Sequence, residues 1–373
     1  MKKKILFLTS TRADFGKLKS LITATKSKSF FKVFIVVTGM HMLRKYGYTF
    51  MEVTKSFKSN IIKFNNQKPG DKLEIILNKT IIKFSKVIKK IKPDLIVVHG
   101  DRVEAMACAL TGSLNHILRG HVEGGEVSGT IDDTIRHALT KLSHIHFVGT
   151  HKAKARILRM GELKKSIFKI GSPDSDFLLK KSHADIEFVK KRYGIKFNKY
   201  ALLLWHPVTS QVKDLKKETL KIIEFLEQYP RNFIIIYPNN DPGNKIILQC
   251  YKKILRNRKF KIIESMRFEY FISLLKNAEF IVGNSSSALY EAPTLGVPAI
   301  NLGDRQRNRL DTQLVKNLRV KDLTIEYVQD FLNKYKRKKI SYYGSGNSDK
   351  KFIRVISKKS FWDISTQKFF SDA

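Results

Sequence analysis

The stretch Pro93-Asp94-Leu95-Ile96-Val97-Val98-His99-Gly100-Asp101-Arg102 sets the pattern for the whole chain. Before it, Leu73, Ile76, Leu77, Ile81, Phe84, Val87, Ile88 and Ile91 recur at three- and four-residue steps, an amphipathic helix over 71–91 that Pro93 stops. Leu95 to Val98 then reads as a short strand, and polar residues follow it at once. The same alternation of short β-rich runs and longer helical patterns continues almost from end to end. Further strands are expected over 5–8, 33–37, 116–118, 145–148, 167–170, 201–205, 233–237, 260–263, 280–282 and 299–302. This predicts an α/β chain of parallel sheets with helices on both faces, and 373 residues are too many for one core and suited to two. The turn-forming cluster Gly171-Ser172-Pro173-Asp174-Ser175-Asp176 marks the seam. Expected domains are 1–175 and 176–345, with a closing segment, 346–373, that is helical over 352–370 and packs back on them.

Lys and Arg number 71 against 33 Asp and Glu, a net charge of +38. A nucleic acid or an anionic membrane is the first partner such a charge suggests. Only 18 of the 71 are Arg, however, and the lysines are scattered through every segment, whereas bidentate phosphate and base recognition favours Arg clusters. The excess reads as a lysine-rich surface, and no nucleic-acid partner is expected. Cys108 and Cys250 lie far apart in apolar helical patterns, as buried thiols of a reducing compartment do. The apolar run after Met1-Lys2-Lys3-Lys4 breaks after Leu8, so it reads as a first strand rather than a signal peptide. No apolar stretch approaches the ~20 residues of a membrane helix, and a soluble, cytoplasmic protein is expected.

In doubly wound sheets ligands bind beyond the carboxyl ends of the strands, so polar residues just after strands carry the functional reading. Gly283-Asn284-Ser285-Ser286-Ser287 is expected to run straight into a helix over 288–295, placing backbone N–H groups and small hydroxyls where a phosphate fits. An ordinary serine N-cap is the plainer reading of the same residues. Glu291, one turn into that helix, is placed to accept hydrogen bonds from ribose hydroxyls, while Arg12, His206 and Arg305 suit an oxyanion. Asp101, Glu123 and Asp132 are three carboxyl groups on loops of the first domain, as acid–base work at a sugar carbon needs. Mutual repulsion near a bound diphosphate is expected to raise some of their pKa values. Each of the three, taken alone, also reads as a helix cap or a surface ion pair. The pattern lacks the Cys clusters and His-Glu-X-X-His spacing of metal sites, a Gly-X-Gly-X-X-Gly after the first strand, and a Walker loop. No metal and no cofactor are expected.

Thr11-Arg12-Ala13-Asp14-Phe15-Gly16-Lys17, Thr38-Gly39-Met40-His41-Met42, His99-Gly100-Asp101-Arg102 and the run from His121-Val122-Glu123-Gly124-Gly125-Glu126 to Asp132-Asp133 resemble the hydrolysing UDP-N-acetylglucosamine 2-epimerases of bacterial sialic acid biosynthesis. Trp205-His206-Pro207, Tyr237-Pro238-Asn239-Asn240-Asp241 and Gly283-Asn284-Ser285-Ser286 continue the resemblance in order, over nearly the whole chain. It implies two Rossmann-like domains in a GT-B-like pair, with the active site in the cleft between them and the nucleotide held mainly by the second. Non-hydrolysing relatives carry Gly-Asp-Thr and His-Val-Glu-Ala-Gly where this chain has Gly100-Asp101-Arg102 and His121-Val122-Glu123-Gly124-Gly125, which implies the hydrolysing branch. By the same resemblance Arg12, Asp101, Glu123, Asp132 and His206 are active-site residues, with His41 contributing. Ser285, Ser286, Glu291, Arg305, Lys17 and Asn240 form the UDP-binding set, and the role of Arg307 is unassigned.

The implied reaction takes UDP-N-acetylglucosamine and water to N-acetylmannosamine and UDP through a 2-acetamidoglucal, in a homodimer or homotetramer. Within the family the alternative substrate is UDP-N,N'-diacetylbacillosamine, for legionaminic acid. A nucleic-acid-binding protein is the alternative that charge alone suggests, and a GT-B glycosyltransferase is supported by fold alone.

Overall fold

The structure, a computed structural model, describes residues 2–44, 47–127, 131–179, 183–208, 213–238, 243–306, 312–335 and 339–371. It divides into two compact units, Met1–Phe177 with Tyr343–Ala373, and Leu178–Tyr342. Unit 1 runs β1 (Lys3–Thr9), α1 (Arg12–Lys26), β2 (Phe31–Val37), α2 (Phe50–Ser56), β3 (Ile61–Lys63), α3 (Leu73–Ile91), β4 (Leu95–His99), α4 (Val103–Leu114), β5 (Leu118–Val122), α5 (Ile131–Leu142), β6 (Ile145–Val148), α6 (His151–Arg159), β7 (Ile167–Lys169) and α7 (Pro173–Leu178). Its seven strands lie in the order β3-β2-β1-β4-β5-β6-β7, every pair parallel.

Unit 2 repeats the scheme with α8 (Ile186–Tyr193), β8 (Tyr200–Leu204), α9 (Leu215–Gln228), β9 (Asn232–Ile236), α10 (Asn244–Tyr251), β10 (Phe260–Ile263), α11 (Phe268–Asn277), β11 (Ile281–Gly283), α12 (Glu291–Leu295), β12 (Ala299–Leu302), β13 (Val315–Leu318) and α13 (Ile325–Lys334). The strand order is β10-β9-β8-β11-β12-β13, again all parallel. The central strands β4 and β8 are buried at every residue because helices cover both faces, which is why they read as continuous apolar runs. The last helix, α14 (Ser348–Ile356), returns to unit 1, where the Phe352 ring sits 4.7 Å from that of Phe147 and 6.2 Å from that of Phe7.

Two strands escape the sequence reading, β3 and β13. Both are short edge strands carrying exposed polar residues, and so lack an apolar run. The strand expected over 116–118 is displaced to β5. His116 instead turns the chain in the left-handed region (φ 53°), and the strand continues through Arg119, Gly120 and His121. Those polar residues are legible as strand only once their partners are seen: buried Arg119 donates to the carbonyls of Leu142 (2.6 Å) and Gly112 (3.2 Å). The closing segment is helical only to Ile356, followed by a 3₁₀ turn at Lys359–Phe361 and irregular chain, not by the helix expected over 352–370.

Candidate active site

Each sheet reverses its strand order once, between β1 and β4 in unit 1 and between β8 and β11 in unit 2. Such switch points open a crevice at the carboxyl ends of the strands. In unit 1 a buried pair spans it. Asp14, on the first turn of α1, accepts from Ser10 Oγ (2.7 Å) and Ser10 N (3.3 Å), and its Oδ1 lies 3.3 Å from Nδ1 of His99, the last residue of β4. The other nitrogen of His99, Nε2, lies 3.0 Å from Oε2 of Glu123. Burial disfavours the imidazolium, but the flanking Asp14 and Glu123 carboxylates raise His99 to about 9. The same pairing, with the Ser10 bond, overcomes burial and holds Asp14 at about 2.

Glu123 directly follows β5 with φ at 62°, a left-handed conformation that costs a non-glycine residue about 1 kcal/mol or more. Its N–H donates to Phe147 O (2.9 Å), which pins that kink. The carboxylate is clamped from three sides: Lys17 Nζ at 2.7 Å and His99 on Oε2, and Ser172 Oγ on Oε1. Burial alone would raise this carboxyl; the Lys17 ammonium and the His99 bond and charge outweigh it and hold Glu123 well below the usual carboxylate range. Asp174 nearby is raised by burial and by the charge of Glu123 despite its pairing with Lys17.

The remaining expected residues divide. Asp101, after β4, is ion-paired with Arg136, whose other nitrogen donates to Asp133 (2.8 Å) and to the carbonyl of Glu126 (3.1 Å). Arg136 therefore ties the Asp101 loop to the first turn of α5, where Asp132 stands exposed. The loops after β4 and β5 are joined as well, through His121 Nε2 donating to Gly100 O (2.8 Å) and Gly100 N donating to Val122 O (3.0 Å). Arg12 is half exposed and pairs with Glu52 at 3.2 Å. Two further expected residues have their partners within unit 1. The Lys17 ammonium bridges Glu123 and Asp174 (3.1 Å). His41 is wholly buried, with Nε2 on Thr9 Oγ1 (2.9 Å) and Nδ1 on Thr49 Oγ1 (2.7 Å), and burial drives it down to about 4. Both of its nitrogens are engaged.

Unit 2 bridges its switch point by a side-chain amide. Asn284, after β11, accepts from His206 N and donates to His206 O, both at 2.8 Å, so the loops after β8 and β11 are locked together. Arg305 and Gln306 both donate to the Asn284 carbonyl, at 3.1 and 3.2 Å. Ser285 caps the following turn by accepting from Ser287 N (3.3 Å). That turn is a 3₁₀ turn, Ser286–Ala288, and α12 begins only at Glu291, so the continuous helix expected from 288 is corrected. Glu291 is then its first residue, not one turn inside. Asn240 and Arg307 lie outside the described residues.

Gly283 makes this lock possible. With φ at 134°, any Cβ would stand 2.0 Å from Leu204 O, against the strand it pairs with. Gly283→Ala is expected to destabilise unit 2 by about 1–3 kcal/mol from overpacking alone. Thermal unfolding checks this; an unchanged melting temperature would show that the two strand ends separate at no cost.

Sequence reasoning missed Asp14, His99, Arg136, Ser172 and Asp174. Asp14 and His99 stood inside recognised stretches but were assigned nothing. The signal that finds them is strand order, because only the β1/β4 adjacency places the two side by side. Ser172 and Asp174 read as turn formers, which they also are.

The sequence profile of the UDP-N-acetylglucosamine 2-epimerases matches residues 23–357. The UDP-N-acetylglucosamine 2-epimerase of Neisseria meningitidis serogroup B is 40% identical over 374 residues, covering 99% of each chain. The UDP-N,N'-diacetylbacillosamine 2-epimerase (hydrolyzing) of Legionella pneumophila is 31% identical over 363 residues, covering 95% of this chain and 96% of that one. Among solved structures, a Neisseria meningitidis UDP-GlcNAc 2-epimerase bound to UDP-GlcNAc superposes with a TM-score of 0.82 at 22% identity, covering 95% of this chain and 99% of that one. The fold is therefore the pair of Rossmann-like domains found in GT-B-like epimerases, and with the profile and the full-length relatives it places the chain in the UDP-N-acetylglucosamine 2-epimerase family.

Proposed function

We propose that the protein hydrolyses UDP-N-acetylglucosamine to N-acetylmannosamine and UDP, supplying sialic acid synthesis. The observation that carries the chemistry is the Glu123 carboxylate, presented on a strained backbone and held ionised by Lys17, His99 and Ser172. A C2 proton is weakly acidic, so the C1–O bond to UDP must break ahead of its removal. Positive charge then develops at C1, the C2 proton becomes labile, and even a carboxylate of low basicity accepts it. The C2–H electron pair forms the C1=C2 bond of 2-acetamidoglucal as UDP departs with the C1–O pair.

In the second half water adds its oxygen to C1 and gives up one proton to an ionised carboxylate, while a proton reaches C2 from the face opposite to the one that lost it, which inverts that carbon. That donation falls to one of the other two carboxyl groups of the set, Asp101 or Asp132. Ser285, Ser286, Glu291 and Arg305 hold UDP, with His206 and Arg12 on the diphosphate. Preorganised donors at a departing diphosphate supply much of the acceleration. Among the described residues no helix is long and apolar enough to cross a membrane. We read the enzyme as a cytoplasmic homo-oligomer, in keeping with its buried free thiols Cys108 and Cys250.

Incubation with UDP-N-acetylglucosamine, followed by NMR of the released sugar, is expected to give N-acetylmannosamine and UDP in equal amounts; release of neither product overturns the reading. The Legionella relative supports a second substrate, UDP-N,N'-diacetylbacillosamine. The higher identity to the Neisseria enzyme favours the first, and turnover of both compounds side by side decides it.

A further inference from the structure

We propose that His99 is a positioning residue of the reaction: its imidazole bridges Asp14 and Glu123 across the switch point of the unit 1 sheet and fixes the reactive carboxylate through Nε2. The inference rests on the reading that Glu123 accepts the substrate proton.

His99 ends β4 and is 8% exposed, so its two partners are set by the fold and not by solvent. Carboxylate oxygens lie at both ring nitrogens, 3.3 Å to Asp14 and 3.0 Å to Glu123. A neutral imidazole donates from one nitrogen only; with an ionised carboxylate at each, only the doubly protonated ring satisfies both. Asp14 is in turn anchored by Ser10, so the chain Ser10–Asp14–His99–Glu123 transmits the position of α1 to the carboxylate. Other charged or titratable groups act on this chain from the surrounding elements: Lys17 on α1, Arg102 before α4, His121 on β5 and Asp174 on α7. Burial drives His121 down to about 3, leaving it neutral, and Lys17 is held well above its usual value by Asp174 and Glu123 despite burial, so His99 is the member of this group that changes charge on mild alkalinisation. When it does, one nitrogen presents a lone pair to a carboxylate, and the clamp on Glu123 loosens.

Turnover of UDP-N-acetylglucosamine is therefore expected to fall as pH rises through about 9, with KM little changed. Asp14→Asn removes one of the two supporting charges without touching Lys17 or Glu123. It should move the alkaline fall in kcat to lower pH by roughly 1–3 units. His99→Gln donates to one partner only and is expected to lower kcat roughly 10–100-fold at neutral pH with KM retained. Should His99→Gln fail to fold, the Asp14→Asn profile still decides. An alkaline limb identical in Asp14→Asn and the parent, with Glu123→Gln inactive, overturns the role of His99 alone. Full activity in Glu123→Gln overturns the reading of Glu123 and this inference with it.

Discussion

Glu123→Gln is expected to lower turnover by roughly 100- to 10,000-fold, the range for loss of a positioned acid or base, while UDP affinity, measured calorimetrically, stays unchanged. Glutamine preserves shape and volume, so packing is not what the substitution removes. It removes the negative charge that Lys17 at 2.7 Å and His99 at 3.0 Å both address, and it turns an NH2 group toward donors where a carboxylate accepted from each. Two cations then lose their shared anion. Lys17 keeps Asp174 and His99 keeps Asp14, which is why the substitution should damage chemistry far more than folding. The groups we assign to UDP, Ser285, Ser286 and Glu291, belong to unit 2, whereas Glu123 belongs to unit 1, so the substitution leaves them untouched. A thermal melt in the presence of UDP separates the two effects. Parent-like turnover would remove Glu123 from the reaction and leave it as the centre of a structural ion cluster.

Much of this was legible in the chain itself, for identifiable reasons. Parallel strands buried on both faces leave largely apolar runs, so β4, β6 and β12 were found within a residue of their ends. Edge strands need no such run, and β3 and β13 stayed hidden. The carboxyls at 101, 123 and 132 stood out as a set of three on loops of the first domain, although each alone also reads as a helix cap or a surface ion pair. What the sequence cannot carry is adjacency. Asp14 and His99 are 85 residues apart and meet only because β4 lies beside β1. The electrostatics at Glu123 stay hidden for the same reason. Three acids in one chain segment suggest mutual repulsion, whereas Lys17, 106 residues away, supplies the opposite charge.

The excess of +38 belongs to a different part of the molecule. Arg119, Arg136, Lys17 and Lys368 are among the inward-facing cations, each matched to carbonyls or carboxylates. Many other lysines lie on exposed helix faces, such as Lys89 and Lys90 at the end of α3, where a cation also favours the helix dipole.

Glu162→Ala is expected to destabilise unit 1 by about 3–5 kcal/mol, as breaking one side of a buried ion cluster does. Glu162 is 2% exposed. Oε2 takes Lys368 Nζ at 2.6 Å and His146 Nε2 at 3.0 Å, and Oε1 faces Lys141 at 3.1 Å, so one side chain joins the end of α5, strand β6 and the C-terminal segment. Lys368 also donates to Thr140 O (3.1 Å) and Ser143 O, and Ser371 N to Gly161 O (2.9 Å), so losing the anion releases the strap that covers this edge. Both partners favour folding more as pH rises, each in its own window. Burial alone would raise Glu162, but the His146 bond and Lys368 hold it below its ordinary 4.5. Its stabilisation is therefore complete above pH 4.5 and is lost as pH falls through the lower folded value. Burial pulls Lys368 down to about 8 from 10.5 despite Glu162, so between those values the unfolded chain binds a proton the folded one does not, and this group favours folding increasingly as pH rises. At neutral pH Lys368 thus opposes the fold that Glu162 supports. Lys368→Met should accordingly cost far less than Glu162→Ala, because it replaces a buried cation by an apolar side chain of similar length while Glu162 keeps His146 and Lys141. Thermal unfolding of the two variants at neutral pH ranks them, and equal losses would show that the strap is held by its shape and not by the charge at Glu162.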